Sequence, residues 1–132
     1  KLPNTHLVMH GSSSVPQDLI KTINEYGGTI KETYGVPISE IQEGIKNGVR
    51  KVNVDTDLRL AATAAVRKYF YDNPSEFDPR KYLLLSKDAM KKVVKSRLQE
   101  FGTAGNASSI NTKSLGEMAS KYKLGQFKAI IN

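Results

Sequence analysis

Cysteine is absent from the 132 residues, which excludes disulfides and thiolate metal sites and makes a reducing cytoplasm the plain expectation. No apolar run approaches the roughly 20 residues that a bilayer span requires, so no membrane contact is expected. The N-terminus lacks a signal-peptide pattern. Histidine is scarce, with only His6 and His10. An initiating methionine is missing too. The chain opens at Lys1 and is almost at once in the apolar run Leu7-Val8-Met9, which reads as a chain entered in mid-fold.

What is present is ordinary for a globular protein, with 39% hydrophobic and 25% charged residues, enough for one compact core. The formal net charge of +7 favours anionic partners, and it suits phosphorylated metabolites, nucleic acid and acidic surfaces equally.

His6 to His10 reads as a short buried strand ended by the turn Gly11-Ser12-Ser13-Ser14. Ser14 with Gln17 forms a capping-box pattern for a helix through Leu19, Ile20, Ile23 and Tyr26, stopped at Gly27-Gly28. Ser39 with Gln42 opens a short helix through Ile41 and Ile45 that ends at Asn47-Gly48. Residues 49–55 read as a second strand, with Asp57 capping a helix from Leu58 to about Tyr71. Ser86 precedes an amphipathic helix with Met90, Val93, Val94, Leu98 and Phe101 on one face, closed by Gly102. Ser114 and Glu117 cap a last helix that fades near Gly125. Two strands joined by a helical crossover imply parallel pairing. Two parallel strands cannot alone make a sheet buried on both faces, so the expectation is a piece of an α/β fold.

Alternation puts Lys51, Asn53 and Asp55 on one face of the second strand and Val52 and Val54 on the other. Polar groups at a strand's C-terminal end, followed by Thr56 and a helix start with unpaired N–H groups, suit an anion site. The same residues would equally serve a satisfied strand-end hydrogen-bond network. The first strand repeats the pattern. His10 stands directly before Gly11-Ser12-Ser13-Ser14, where glycine permits close backbone approach and hydroxyls and N–H groups can cradle a phosphate. A lone histidine more often packs or hydrogen-bonds than ligates a metal. Two successive units of this kind look like the last two of a (β/α)8 barrel, where a phosphate commonly sits after strands 7 and 8.

The stretch His6-Leu7-Val8-Met9-His10-Gly11-Ser12-Ser13-Ser14-Val15-Pro16 is similar to a signature of class II, zinc-dependent fructose-bisphosphate aldolases, in the subtype often linked with the Calvin cycle. So is Gly48-Val49-Arg50-Lys51-Val52-Asn53-Val54-Asp55-Thr56-Asp57-Leu58-Arg59. Phe77-Asp78-Pro79-Arg80-Lys81-Tyr82-Leu83 and Phe101-Gly102-Thr103-Ala104-Gly105-Asn106-Ala107 follow in the expected order. The resemblance implies the C-terminal part of a TIM (β/α)8 barrel. Residues 1–73 would carry the last two βα units and residues 74–132 a C-terminal helical extension.

It further implies a metal-dependent carbon–carbon lyase that cleaves fructose 1,6-bisphosphate reversibly to dihydroxyacetone phosphate and glyceraldehyde 3-phosphate. His10 would be one of three zinc ligands, with another divalent metal or an added monovalent cation as variants of the cofactor set. Gly11, Ser12 and Ser13 would hold the phosphate of dihydroxyacetone phosphate. Asn53, Val54, Asp55 and Thr56 would close the other side, with Asn53 near the enediolate. Arg59 would reach the second phosphate across a subunit boundary of a homodimer or homotetramer, and Arg80 is a second candidate for that role. A planar guanidinium fork matches phosphate oxygens well.

The residues implied for the other two zinc histidines and the proton-donor aspartate lie upstream of this sequence. His6 is four residues below His10 on the same strand face, about 13 Å away at roughly 3.3 Å per residue. A catalytic zinc normally needs three protein ligands, so these residues alone are expected to be inactive. Three other readings use the same sequence. Lys51 could serve a Schiff-base aldolase, and the tagatose epimer or another ketose bisphosphate could be the substrate. From a different class, Lys87, Lys91, Lys92, Lys95 and Arg97 could form a basic nucleic-acid-binding face. A solvated outer helix face explains that last cluster more simply, and no nucleic-acid partner is expected.

Overall fold

Two short parallel strands carry the candidate site, and the rest of the chain is mainly helical. The computed structural model describes residues 5–128. In chain order the elements are β1 (Leu7–Met9), α1 (Gln17–Glu25), α2 (Ile38–Lys46), β2 (Val49–Val52), α3 (Thr56–Asp72), α4 (Pro79–Glu100) and α5 (Leu115–Lys123). One turn of 3-10 helix at Ala107–Ser109 separates α4 from α5. β1 pairs with β2 in parallel, as a helical crossover requires. The register runs Leu7 to Val49, Val8 to Lys51 and Met9 to Val52, so the ladder skips Arg50.

The core lies between α1 and α3. Ile20 and Ile23 of α1, Leu60 and Ala64 of α3, and the loop residue Val15 form one buried cluster, with Leu19 and Ile30 packed against it. The i, i+3, i+4 spacing on each helix explains why one stripe of each is inside. α4 packs along α3. The strands are far less covered, with Leu7 at 41% and Val8 at 48% exposed. β-rich side chains of this kind usually face packed layers.

Several helix starts differ from the sequence expectation. α1 begins after Pro16 and α2 after Pro37, and neither has a side-chain cap. Ser14 is not the cap of α1, because its hydroxyl is engaged by Asp57 and Arg97. Gln17 donates to the carbonyls of Val15 and Thr33, and Gln42 to that of Glu100. Ser39 lies within α2. α3 starts at Thr56 with Asp55 in the cap position, so Asp57 is already inside the helix. α4 begins seven residues before Ser86. Asp78 accepts from the Arg80 N–H and Pro79 fills the first helical position, a stronger start signal than a lone serine. Ser86 is buried in mid-helix. The Ser114–Glu117 capping box of α5 is present with both of its bonds.

Candidate active site at the strand ends

β1 ends at Met9 and β2 at Val52, which leaves His10 and Asn53 as the first residues beyond the ladder. The Asn53 N–H donates to the Met9 carbonyl at 3.1 Å, extending the pairing by one bond. Their side chains meet above it. Asn53 Nδ2 lies 2.8 Å from His10 Nδ1, and Lys51 Nζ donates to Asn53 Oδ1. With its oxygen taken by an ammonium, the amide turns its nitrogen to the imidazole.

Ser12 and Ser13, both expected at a phosphate, do different jobs. Ser12 is buried, and its hydroxyl is shared between the carbonyls of Met9 at 2.9 Å and Asn53 at 3.0 Å. That hydroxyl is a strut between the two strand ends and is not free for a ligand. Ser13 Oγ accepts the N–H groups of Asp55 and Thr56, each at 3.1 Å. The start of α3 is thus capped from the other loop, and the Ser13 O–H hydrogen is left to donate outward. Gly11 adopts φ +61, a left-handed conformation that L side chains rarely take.

Asp55 and Arg59 form an exposed i,i+4 pair, with Nε to Oδ1 and Nη2 to Oδ2 both at 2.9 Å. Val54 is half-buried and Thr56 exposed. The structure therefore gathers His10, Gly11, Ser12, Ser13, Asn53, Asp55, Thr56 and Arg59 around one mouth. It does not bring Arg80 there. Arg80 is 89% exposed, paired with Asp78, and stands near the opposite end of α4 from Arg97, about 25 Å away at 1.5 Å rise per residue.

Sequence reasoning missed a buried ion pair directly beneath the mouth. Asp57, read as a helix cap, is 0% exposed. Its Oδ1 accepts the Val15 N–H at 2.8 Å, and its Oδ2 accepts the Ser14 N–H at 3.2 Å and hydroxyl at 2.9 Å. Arg97 Nε and Nη2 reach the same Oδ2 at 3.2 and 3.0 Å. Burial pushes the Asp57 carboxyl up, but the Val15, Arg97 and Ser14 hydrogen bonds outweigh it and hold it below the usual carboxylate range. It stays ionised. Arg97 was counted with the solvated basic face of its helix, yet its side chain is only 13% exposed. A signal existed, since Arg97 follows Met90 by seven residues and Val93 by four, inside the apolar stripe.

For a zinc ion the fit is incomplete. Among the described residues no three His, Cys, Asp or Glu side chains cluster as a metal site. His10 supplies one imidazole, and its Nδ1 faces the Asn53 amide.

Residues 1–106 match the family described as Fructose-bisphosphate aldolase class-II. The chain belongs to that family. Among curated relatives it is 65% identical to a fructose-bisphosphate aldolase of Nostoc sp., over 98% of this chain and 36% of the relative. It is 60% identical to one of Pseudomonas aeruginosa, over 100% of this chain and 37% of the relative. A Synechocystis protein named fructose-bisphosphate aldolase class 2 is 60% identical over 97% of this chain and 36% of its own length. The chain thus spans little more than a third of these relatives. Of the five residues in the basic-helix alternative, Arg97 is committed to Asp57 and Glu100.

Proposed function

We propose that this chain forms the phosphate-binding end of an enzyme that cleaves fructose 1,6-bisphosphate reversibly to dihydroxyacetone phosphate and glyceraldehyde 3-phosphate. The observation that carries this reading is the joining of two parallel strand ends through His10–Asn53 and Ser13–Asp55/Thr56, in a chain of aldolase ancestry. Residues 1–73 are then the last two βα units of a TIM barrel, and 74–132 its helical extension. The exposure of Leu7 and Val8 is what such strands show when neighbouring barrel strands are not beside them.

In this reading the Ser13 O–H and the backbone N–H groups of Gly11 to Ser13 hold one phosphate, with the N-terminus of α3 behind them. Lys51 fixes the Asn53 amide, which holds the His10 ring and lies where substrate oxygens arrive. Arg59 grips the other phosphate, in a neighbouring subunit's site, once it leaves Asp55. An exposed pair of this kind is worth only about 0–1 kcal/mol, so a dianionic phosphate competes easily for the fork. His10 is the one residue of this chain that would hold a zinc ion, which would supply Lewis-acid polarisation of the substrate carbonyl when bound by three ligands. A cytoplasmic homo-oligomer completes the proposal.

The test is turnover. The full-length protein carrying this chain, purified and assayed with both epimers, is expected to cleave fructose 1,6-bisphosphate in preference to the tagatose isomer. Activity should vanish on chelation and return with zinc. The 132 residues alone should show no turnover. Chelator-resistant cleavage with a borohydride-stable adduct on Lys51 would replace this mechanism with a Schiff-base one.

A further inference from the structure

We propose that Arg97, carried by α4 outside the mouth, is a positioning residue that holds the loop Gly11 to Val15 in its phosphate-gripping shape through Asp57 and Ser14. This rests on the phosphate role given to that loop above.

The loop is not relaxed on its own. Among the described residues Val15 is the one non-glycine residue with positive φ, at 54°, and a β-branched side chain there is strained. Strain of this kind persists only where the surroundings fix it. The fixing group is the Asp57 carboxylate, which takes the N–H groups of both Ser14 and Val15. A buried carboxylate needs a countercharge, and Arg97 provides it. The guanidinium also donates from Nη2 to Ser14 Oγ at 2.7 Å, so it touches the loop itself. Its remaining arm pairs with Glu100, one turn further along α4.

The two adjacent serines divide the labour. Ser14 Oγ donates to Asp57 and accepts from Arg97, leaving no proton for a ligand. Ser13 next to it keeps its O–H for the mouth. On the loop's other flank, Val36 N–H donates to the Ser13 carbonyl at 3.1 Å. The backbone there is so close that a Cβ on Gly35 would overlap the Ser13 carbonyl oxygen and lie 2.7 Å from the Ser14 carbonyl carbon. The phosphate face is therefore pinned from behind at Asp57 and Arg97 and from the flank at Gly35. Small misplacements at a binding site are costly even when they originate outside it.

The experiment uses the full-length protein carrying this chain and reads three quantities: direct binding of inorganic phosphate by calorimetry, KM against kcat for fructose 1,6-bisphosphate, and Tm. Arg97→Met is expected to weaken phosphate binding and raise KM in parallel, each by about tenfold, with a smaller fall in kcat. Arg97→Lys should recover part of the loss, because it restores the charge but not the fork. Ser14→Ala, which leaves the ion pair, should weaken phosphate binding by a few-fold with Tm nearly unchanged. A lowered Tm with unaltered phosphate affinity and KM in Arg97→Met would overturn the proposal. If that variant fails to fold, unchanged phosphate binding in Ser14→Ala overturns it instead. A parent protein that binds phosphate but leaves fructose 1,6-bisphosphate intact would sink the aldolase reading alone, since the calorimetric comparison still stands.

Discussion

The two ends of α4 both carry ion pairs, and they teach opposite lessons. At its start, Arg80 pairs with Asp78 and Lys81 with Glu76, with the two cationic side chains 89% and 58% exposed. At its finish, Arg97 meets a fully buried Asp57 and a half-exposed Glu100. The first group sets cations that stand mostly in water against half-buried Asp78 and Glu76, so screening and side-chain entropy erase part of the gain. In the second, Asp57 is buried and Arg97 nearly so, so more is at stake, because either partner alone would be a buried charge. Burial, not geometry, decides which end matters.

The sharpest way to break the comparison is Arg97→Met. Leaving Asp57 unpaired should destabilise the full-length protein by about 3–5 kcal/mol in urea unfolding, and Asp57→Asn added to it should restore part of that loss. Gly35→Ala comes next. Its methyl must displace the backbone of the Ser13–Ser14 segment, and about 1–3 kcal/mol of overpacking strain is expected, with weaker phosphate binding alongside.

Acid titration separates the ends further. Asp57 is held below the ordinary carboxylate range, so its stabilisation is complete above the unfolded value of about 3.9 and fades as pH falls through the lower folded value. Asp57→Asn should flatten that part of the Tm-against-pH curve. Glu76, lowered to about 2 chiefly by its Lys81 hydrogen bond, has the same sign. Its contribution is present above about 4.3 and lost towards pH 2. Lys81 is exposed, so its pairing with Glu76 should weaken in 1 M salt more than that of Asp57 with Arg97, where neither side chain is exposed. The smallest effect is Arg80→Ala, expected to leave Tm unchanged. A fall as large as that of Arg97→Met would erase the distinction between the two ends.

What the sequence revealed follows the range of the interaction. The Ser114–Glu117 capping box spans three residues and was readable from pattern alone. So were the two strands, their parallel pairing and the glycine stops at Gly27, Gly48 and Gly102, although β2 stops at Val52 and does not run to residue 55. The start of α4 was missed although Asp78-Pro79 spelled it out, because the apolar stripe from Met90 drew the boundary to Ser86. The motif likeness groups His10, Ser13 and Asn53; in the structure His10 meets Asn53, and Ser13 meets Asp55 and Thr56. The Asp57–Arg97 pair spans 40 residues, and local pattern made Asp57 a helix cap and Arg97 part of a solvated face. Two local readings hid one buried contact.

The skipped Arg50 in the ladder has a geometric consequence. Continuing the observed steps from Met9 and Val52 sets His10 level with Asn53. Without that one-residue jump, Val52 would stand opposite His10, and an isopropyl group would face the imidazole where an amide now does. The kink works as a phase shifter, converting an apolar neighbour into a polar one with no change in residue type. Irregularities of this kind gather next to reactive centres because they re-aim side chains.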